Sequence, residues 1–403
     1  MSLDLHAATS RQRADMVDRL KADGILTDPL LRDALLRVPR EALLPHAYVR
    51  VSGPGADLID CRLLDGSHPE DQEAWLELIH SDESILLQPD GDPLDALPRG
   101  PVTGGHMTSM STYTPATIEV LQALGLAQGH RYLELGPGPG VSLALAAAVT
   151  GPGRAIGVER DRHMAAFAQR NLDRLGLGAA VAEDDALQGH QAQAPFDRIH
   201  SGIGVPCVPP TWVQQLAPGG RLSTTLATCT PSWPGQLLVT RTPAGAVEAV
   251  LRGRPRGYRP MLGYQWLSCL DHRARIEADP GTARSTRLAP PPDEAYGFWL
   301  AVAYLAPGLV RDFRAETMTI VTPEDDSWAV SGPGDDTVRV HGPRDVWAEL
   351  EDTHARWERA GRPEAYRVDV HDGTGIQYVT SGTGPKALSW TLPPLATVPR
   401  QMP

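Results

Sequence analysis

The stretch from Arg131 to Gly140 limits the possible folds more than any other part of the chain. Its first five residues predict a short buried strand, and the glycines at positions 136, 138 and 140 predict a tight turn. Glycines at alternate positions let the backbone pass close to a ligand, and the helix predicted at 141–149 offers unpaired N–H groups to it. This order of strand, glycine loop and helix is typical of nucleotide-binding α/β folds.

Acidic residues end the next two predicted strands as well. Glu159 ends the second strand, where a carboxylate can accept hydrogen bonds from both hydroxyls of a ribose. Asp184 and Asp185 follow the third strand, where they suit the amino group of an adenine. Sites for NAD and sites for S-adenosylmethionine share these features, so the strand ends alone leave both cofactors open.

The glycine loop distinguishes the two cofactors. Loops that bind a pyrophosphate usually space their glycines G-x-G-x-x-G, whereas here Glu134 precedes G-x-G-x-G. An acid opposes a phosphate but suits the cationic amino group of a methionine moiety, so we predict S-adenosylmethionine. The predicted cofactor-binding residues are Glu134, Gly136, Pro137, Gly138, Gly140, Glu159, Arg160, Asp184, Asp185 and Ala186.

Strands and helices alternate regularly beyond residue 131, which predicts a parallel sheet with right-handed crossovers. We therefore predict an α/β fold with a Rossmann-like class I methyltransferase sheet, covered by helices from residues 11–48. Residues 49–105 are rich in Gly, Pro and acid, and we expect them to be irregular apart from one helix, Glu70 to Ile79. The strands are expected at 131–135, 154–159, 179–182, 196–201 and 221–227, followed by a hairpin at 236–242 and 247–252.

The character of the sequence changes beyond residue 263. We predict a methyltransferase domain at 1–263, with an acidic insertion at about 49–105, and an α+β accessory domain at 264–403. The helix predicted at 344–361 carries Trp347, Leu350, His354 and Trp357 on one face, which we expect to join a core. No catalytic pattern is visible in this second domain.

Composition excludes several functions. A formal net charge of −12 argues against broad nucleic-acid binding, which needs a basic surface. The chain has no apolar run of about 18 residues that would predict a transmembrane helix, and its N-terminus lacks the pattern of a signal peptide. The four cysteines are far apart and show no metal-ligand spacing, so we expect reduced thiols, no metal and a cytoplasmic protein.

Taken together, the motifs resemble those of the protein-L-isoaspartate O-methyltransferases from about Asp15 to Leu262. The resemblance implies that an Asp of the 184–186 segment contacts adenine. The matching segments are 20–25, 38–40, 134–140, 184–186 with Gly189, 194–200 and 215–220.

Two departures from this family concern the substrate. The family's substrate loop reads Thr-Ile-Ser-Gln-Pro, whereas residues 109–113 read Ser-Met-Ser-Thr-Tyr, so that Ser111 keeps the hydroxyl but the Gln and Pro are lost. The longer 49–105 region and the added C-terminal residues resemble methyltransferases associated with ribosomally made modified peptides. That resemblance implies methylation of an aspartate in a constrained peptide, after which the ester loses methanol to a backbone amide and leaves an aspartimide.

Methyl transfer to a carboxylate needs little acid–base help, because the carboxylate is ionised at neutral pH. We therefore expect hydroxyl groups to orient the substrate, with Ser111 as the positioning group and Ser109 and Thr108 as supporting donors. The same hydroxyls could instead cap the helix predicted at 116–124. His106 and His200 are candidate bases for ring closure, although a core or pocket-lining role is the preferred interpretation of each.

Three functions remain open from the sequence. The first is a methyltransferase dedicated to one modified peptide, and the second is a repair enzyme for isoaspartyl proteins. The third is a non-catalytic scaffold that binds the cofactor and presents a peptide to other enzymes. All three take a peptide as partner, and we expect no nucleic-acid or membrane partner.

Overall fold

The computed structural model describes residues 3–51, 60–94, 97, 100–103, 107–228, 233–254, 258, 272–312, 317–332, 336–370 and 375–395. Contacts divide the chain into two units. The first comprises Met1–Gly202, Thr211–Ser223 and Arg241–Gly245, and the second comprises Ile203–Pro210, Thr224–Thr240 and Ala246–Pro403. The predicted domain boundary at residue 263 lies outside the described residues.

The first unit begins with the predicted helices, which are α1 (Leu3–Ala22), α2 (Pro29–Arg37) and α3 (Arg40–Leu43). Asp28 caps α2 by accepting hydrogen bonds from the N–H groups of Leu30 at 2.7 Å and Leu31 at 3.4 Å. Proline at the first helical position fits this start, because its missing N–H would be unpaired there in any case.

A five-stranded antiparallel sheet follows, and the expectation of an irregular 49–105 region is wrong. Its strands are in the order β4-β2-β1-β3-β5, and only the predicted helix, α4, is as expected. The strands are short and pair with partners that are distant in sequence, so no local sequence pattern predicts them. The elements are β1 (His46–Arg50), β2 (Asp60–Asp65), α4 (Gln72–Ile79), β3 (Ile85–Pro89), β4 (Pro101–Thr103) and β5 (Met107–Ser111).

The parallel core of this unit has the predicted α/β alternation. Strands β9, β6, β7 and β8 lie side by side and are parallel, with Glu134 in register with both Gly157 and His200. The strand predicted at 221–227 begins earlier, because β10 also includes Pro218 to Gly220. The elements are α5 (Thr114–Leu124), β6 (Tyr132–Leu135), α6 (Val141–Thr150), β7 (Ala155–Glu159), α7 (Arg162–Arg174), β8 (Ala180–Glu183), β9 (Phe196–Val205), α8 (Pro210–Gln214) and β10 (Leu216–Leu226).

The second unit contains two antiparallel arrangements of strands. One is ordered β11-β12-β18-β19-β20 and the other β13-β17-β16-β15-β14. The predicted apolar stripe of α11 is core, since Trp347 and Leu350 are fully buried. The elements are β11 (Gly235–Arg241), β12 (Val247–Gly253), α9 (Arg273–Ala278), β13 (Thr282–Ser285), α10 (Tyr296–Leu305), β14 (Val310–Asp312), β15 (Met318–Thr322), β16 (Ser327–Ser331), β17 (Thr337–His341), α11 (Val346–Arg359), β18 (Ala365–Asp369), β19 (Tyr378–Thr380) and β20 (Ser389–Thr391).

Among the described residues, no helix combines the length and the hydropathy that crossing a bilayer needs.

Candidate cofactor and substrate site

The glycine loop joins β6 to α6 in a conformation that side chains disfavour. Gly136, Gly138 and Gly140 all have positive φ, at 74°, 53° and 88°. Gly202, on the neighbouring strand β9, approaches the loop so closely that a Cβ added there would lie 2.4 Å from the Gly136 carbonyl oxygen. Both the loop and the strand beside it therefore need glycine.

Glu134 is buried at the end of β6, with 1% of its surface exposed. Its Oε2 accepts a hydrogen bond from the Tyr132 hydroxyl at 3.0 Å, and its Oε1 accepts one from the Ser142 hydroxyl. His200 Nδ1 lies 3.6 Å from the same Oε1. The carboxylate thus ties β6 to the first turn of α6 and to β9, which fixes the strand from which the glycine loop starts.

Glu159, at the end of β7, faces the glycine loop directly. Its Oε2 accepts a hydrogen bond from the Gly138 N–H at 3.2 Å, and its Oε1 accepts one from the Asp161 N–H at 3.1 Å. Burial raises the pKa of Glu159 above its ordinary value, despite these donors, which act to lower it. A partly buried carboxylate beside a glycine loop is well suited to accept two ribose hydroxyls.

The second pair of acids lies next to Glu159. Glu183, the last residue of β8, is in register with Glu159, and the Asp184 N–H donates to the Glu159 carbonyl at 3.1 Å. Asp184 and Asp185 are exposed, and Asp185 accepts from the Leu187 N–H at 3.0 Å to cap a short 3₁₀ turn. Ala186 is buried, and its carbonyl accepts from Trp212 Nε1 at 2.8 Å.

The hydroxyl-bearing strand β5 meets the glycine loop at Gly138. A Cβ built at Gly138 would lie 3.4 Å from the Met110 carbonyl oxygen and 3.5 Å from the Ser109 hydroxyl oxygen. Ser111 is 5% exposed and pairs with Ile85 of β3. Because alternate residues of a strand face the same way, Ser109 and Ser111 share one side of β5.

These hydroxyls do not cap the following helix. The residue before α5 is Tyr113, which makes no side-chain capping bond, and Ser111 belongs to a strand. The alternative interpretation of Ser111 as a helix cap is therefore wrong.

The hydroxyl of Thr108 belongs to a network that sequence reasoning missed. It donates to Gln88 Oε1 at 3.0 Å and accepts from the Gly91 N–H at 2.9 Å. Gln88 in turn donates from Nε2 to Asp161 Oδ2 at 3.1 Å, and Asp161 caps α7 through the N–H groups of His163 and Met164. An Asp directly before a helix is a recognisable cap, but nothing in the sequence marks Gln88.

The remaining predicted residues have simpler surroundings. Arg160 is exposed. His200 is fully buried on β9, with Nδ1 at 3.3 Å from the Tyr132 hydroxyl, so it is a core residue in this structure. His106 lies outside the described residues.

The residues at the ends of β6, β7 and β8 fit S-adenosylmethionine. The Glu159 carboxylate beside the glycine loop can accept the ribose hydroxyls, and the exposed Asp184 or Asp185 can accept the adenine amino group. Strand β5 brings the Ser109 hydroxyl against the loop.

Comparison with known proteins agrees with this arrangement. The family model described as protein-L-isoaspartate(D-aspartate) O-methyltransferase matches residues 101–228. The chain is an S-adenosylmethionine-dependent O-methyltransferase.

Individual proteins of known sequence or structure are similar to this chain as well. The protein-L-isoaspartate O-methyltransferase of Methanopyrus kandleri is 29% identical over 216 residues, which are 53% of this chain and 75% of that protein. The one of Aeropyrum pernix is 28% identical over 240 residues, or 59% of this chain and 74% of that protein. A solved structure of a protein-L-isoaspartate O-methyltransferase aligns with a TM-score of 0.48 at 21% identity, covering 94% of this chain and 98% of that one.

Proposed function

We propose that this enzyme transfers a methyl group to the side-chain carboxylate of an aspartyl or isoaspartyl residue in a peptide. The observation that carries the proposal is the contact of β5 with the glycine loop, where Ser109 and the Met110 carbonyl lie against Gly138. The sequence relatives are named protein-L-isoaspartate O-methyltransferases, which supports the same class of substrate.

Bound at the glycine loop, S-adenosylmethionine supplies an electrophilic methyl group. The enzyme's own task is to hold a carboxylate oxygen in line with that methyl at about 3 Å and to exclude water. We propose that Ser111 orients the carboxylate, helped by Ser109. The Thr108 hydroxyl, predicted as a second supporting donor, already donates its only proton to Gln88 Oε1. A hydroxyl donates a hydrogen bond without neutralising the negative charge, whereas an Arg or Lys on the attacking oxygen would lower its nucleophilicity.

The burial of Ser111 suits this task. A hydroxyl with 5% exposure lies where bulk water is largely excluded, and electrostatic contacts are stronger there than at the surface. The same hydroxyl sits on a strand whose backbone is held by pairing with β3, so that its position is fixed before the substrate arrives.

A narrower candidate function is the methylation of one dedicated peptide, whose methyl ester then forms an aspartimide. It is favoured by the residues that follow Ser111, since Thr112 and Tyr113 replace the Gln and Pro of the family's substrate loop. In the second step, the backbone amide nitrogen bonds to the ester carbonyl carbon, the ester C–O bond breaks, and the amide proton leaves with methoxide as methanol. A methyl ester releases alkoxide more readily than a carboxylate releases oxide, so this step needs no catalytic residue.

Mass spectrometry of peptides incubated with the enzyme and cofactor tests the proposal. Isoaspartyl, aspartyl and asparaginyl versions of one peptide differ only at the reacting residue, and we expect the mass of one added methyl on an acidic version alone. Methylation of the asparaginyl version, or of no version in either a linear or a constrained peptide, contradicts the proposal. Fast turnover of the linear isoaspartyl peptide favours repair, whereas the dedicated function requires a constrained peptide and a final product one water lighter than the starting peptide.

A further inference from the structure

The turn after β8 carries the two acids that are predicted to accept the adenine amino group. Asp184 and Asp185 are exposed, and a single 3₁₀ turn, Ala186–Gln188, follows them. Asp184 Oδ1 accepts a hydrogen bond from the Asp185 N–H at 2.7 Å, and Asp185 Oδ1 accepts one from the Leu187 N–H at 3.0 Å. Among the described residues, no group donates to the Oδ2 atom of either carboxylate. Each acid therefore keeps one oxygen available for a ligand.

Three successive backbone carbonyls of this turn accept hydrogen bonds from side chains on α8 or directly after it. Thr211 Oγ1 donates to the Leu187 carbonyl at 2.7 Å, Trp212 Nε1 to the Ala186 carbonyl at 2.8 Å, and Gln215 Nε2 to the Gln188 carbonyl at 2.8 Å. The last carbonyls of a helical turn lack partners within it, and a single 3₁₀ turn has hydrogen bonds of poor geometry. The shape of this turn therefore depends on the three side chains that donate to it.

Gln215 holds the end of the turn with both atoms of its side-chain amide. Besides the bond from its Nε2, its Oε1 accepts a hydrogen bond from the His190 N–H at 2.7 Å. A Cβ built on Gly189 would lie 2.3 Å from Gln215 Oε1, so the close approach of the amide requires glycine there. Gln215 is 3% exposed and Trp212 is fully buried. These two side chains therefore act on a ligand only through the backbone that they hold.

The whole arrangement lies in the first unit of the chain, which contains both the turn and the segment Thr211–Ser223. The turn is also fixed at its start, where the Asp184 N–H donates to the Glu159 carbonyl at 3.1 Å. Glu159 is the acid that we expect to accept the ribose hydroxyls. The two exposed carboxylates are thus held at a set place beside the ribose acid before a ligand arrives, and such preorganisation favours selective binding.

We propose that Thr211, Trp212 and Gln215 are positioning residues that set the selectivity of the cofactor site for an adenine amino group. They hold the backbone of Asp184 and Asp185, so that a carboxylate oxygen stands ready to accept an N–H of that group. A ligand with an oxygen in place of the amino group brings an acceptor against the carboxylate, which lowers its affinity. The inference rests on the cofactor of the proposed reaction, and the identity of the methyl acceptor does not enter it.

Calorimetric titration of the full chain with two ligands tests the inference without relying on catalysis. S-adenosylhomocysteine carries the amino group, whereas S-inosylhomocysteine carries an oxygen there and is otherwise the same apart from one ring proton. The ratio of the two Kd values measures selectivity, because a general loosening of the site raises both values together. We expect the wild-type chain to bind the amino ligand at least about tenfold more tightly, since a hydrogen bond to a charged acceptor is lost in the other ligand.

Two pairs of variants separate positioning from general effects. Trp212→Phe removes the indole donor but keeps an aromatic ring. Trp75→Phe is its control, because Trp75 is 3% exposed and its Nε1 donates to the Leu44 carbonyl, also at 2.8 Å. Thr211→Val removes a hydroxyl at nearly constant size, whereas Thr211→Ser keeps it. We expect Trp212→Phe and Thr211→Val to lower the Kd ratio about three- to tenfold, while Trp75→Phe and Thr211→Ser keep the wild-type ratio.

Equal affinity of the wild-type chain for the two ligands overturns the inference. Equal Kd ratios within both pairs of variants overturn it as well, whereas a lower ratio in the first member of either pair supports it. If Trp212→Phe does not fold, the pair at Thr211 decides alone. Selective binding that depends on these residues, without a methyl ester on any peptide, supports the inference, and it is then the proposed reaction that is wrong.

Discussion

The side-chain amide of Gln88 donates a hydrogen bond to the Asp161 carboxylate over 3.1 Å, although the two residues are 73 positions apart. Gln88 is 1% exposed and lies on β3 of the antiparallel sheet. Asp161 lies two residues after Glu159 and caps α7. This bond therefore connects the sheet that carries Ser111 to the strand end that is proposed to hold the cofactor's ribose.

Replacing Gln88 with Met keeps the size of the side chain but removes the connection. Thr108 then loses one partner, and the Asp92 carbonyl loses the donor that now lies at 3.1 Å. We expect the free energy of unfolding to fall by about 1–3 kcal/mol, with weaker cofactor binding, as measured by urea denaturation and calorimetry. Gln191→Met, at an exposed position, is the control, and equal stability of the two variants contradicts this role.

We expect Glu159 to make cofactor binding depend on pH. Its pKa is raised by burial, and ribose hydroxyls donate best to its ionised form. The free protein therefore takes up a proton as pH falls through this raised pKa, and cofactor affinity should fall in the same range. Binding there should release a proton, which calorimetry in buffers of different ionisation enthalpy measures directly.

The variant Glu159→Gln removes this titration. We expect cofactor Kd to rise about 10- to 100-fold and to lose its dependence on acidic pH, because hydrogen bonds to a charged acceptor are the stronger ones. The wild-type folded state holds more protons than the unfolded chain between the ordinary and the raised pKa, so Glu159 lowers its stability as pH rises through that range. The variant should therefore be at least as stable at pH 7, and a destabilised variant contradicts this reasoning.

Gly202 is predicted to tolerate no side chain. A Cβ there would lie 2.4 Å from the Gly136 carbonyl oxygen, so Gly202→Ala must displace the glycine loop. We expect at least about tenfold weaker cofactor binding and a lower melting temperature. Gly100→Ala is the control, since nothing lies within 4 Å of a Cβ built there, and wild-type cofactor affinity in Gly202→Ala contradicts the prediction.

The parallel part of the fold could be predicted because its signals are local. The strand before the glycine loop, the acid that ends the next strand and the helix starts are all set by neighbouring residues. The antiparallel sheet could not be predicted, because β3 and β5 pair through two register shifts that no periodicity reveals. One lies between Leu86 and Gln88 and the other between Gln88 and Pro89. Gln88 acts through a contact made only after that sheet has formed, so its role is visible in the structure alone.

Ser111 gives the most direct test of the proposed reaction. With saturating methyl-labelled S-adenosylmethionine and an isoaspartyl peptide, the wild-type enzyme should form a methyl ester that releases labelled methanol in base. Ser111→Ala should form it about 100-fold more slowly or worse, at wild-type cofactor Kd, because a positioned donor is lost while the glycine loop is intact. The mechanism would be contradicted if the wild-type enzyme formed no base-labile label. It would also be contradicted if Ser111→Ala kept its rate, or if that variant lost cofactor binding instead.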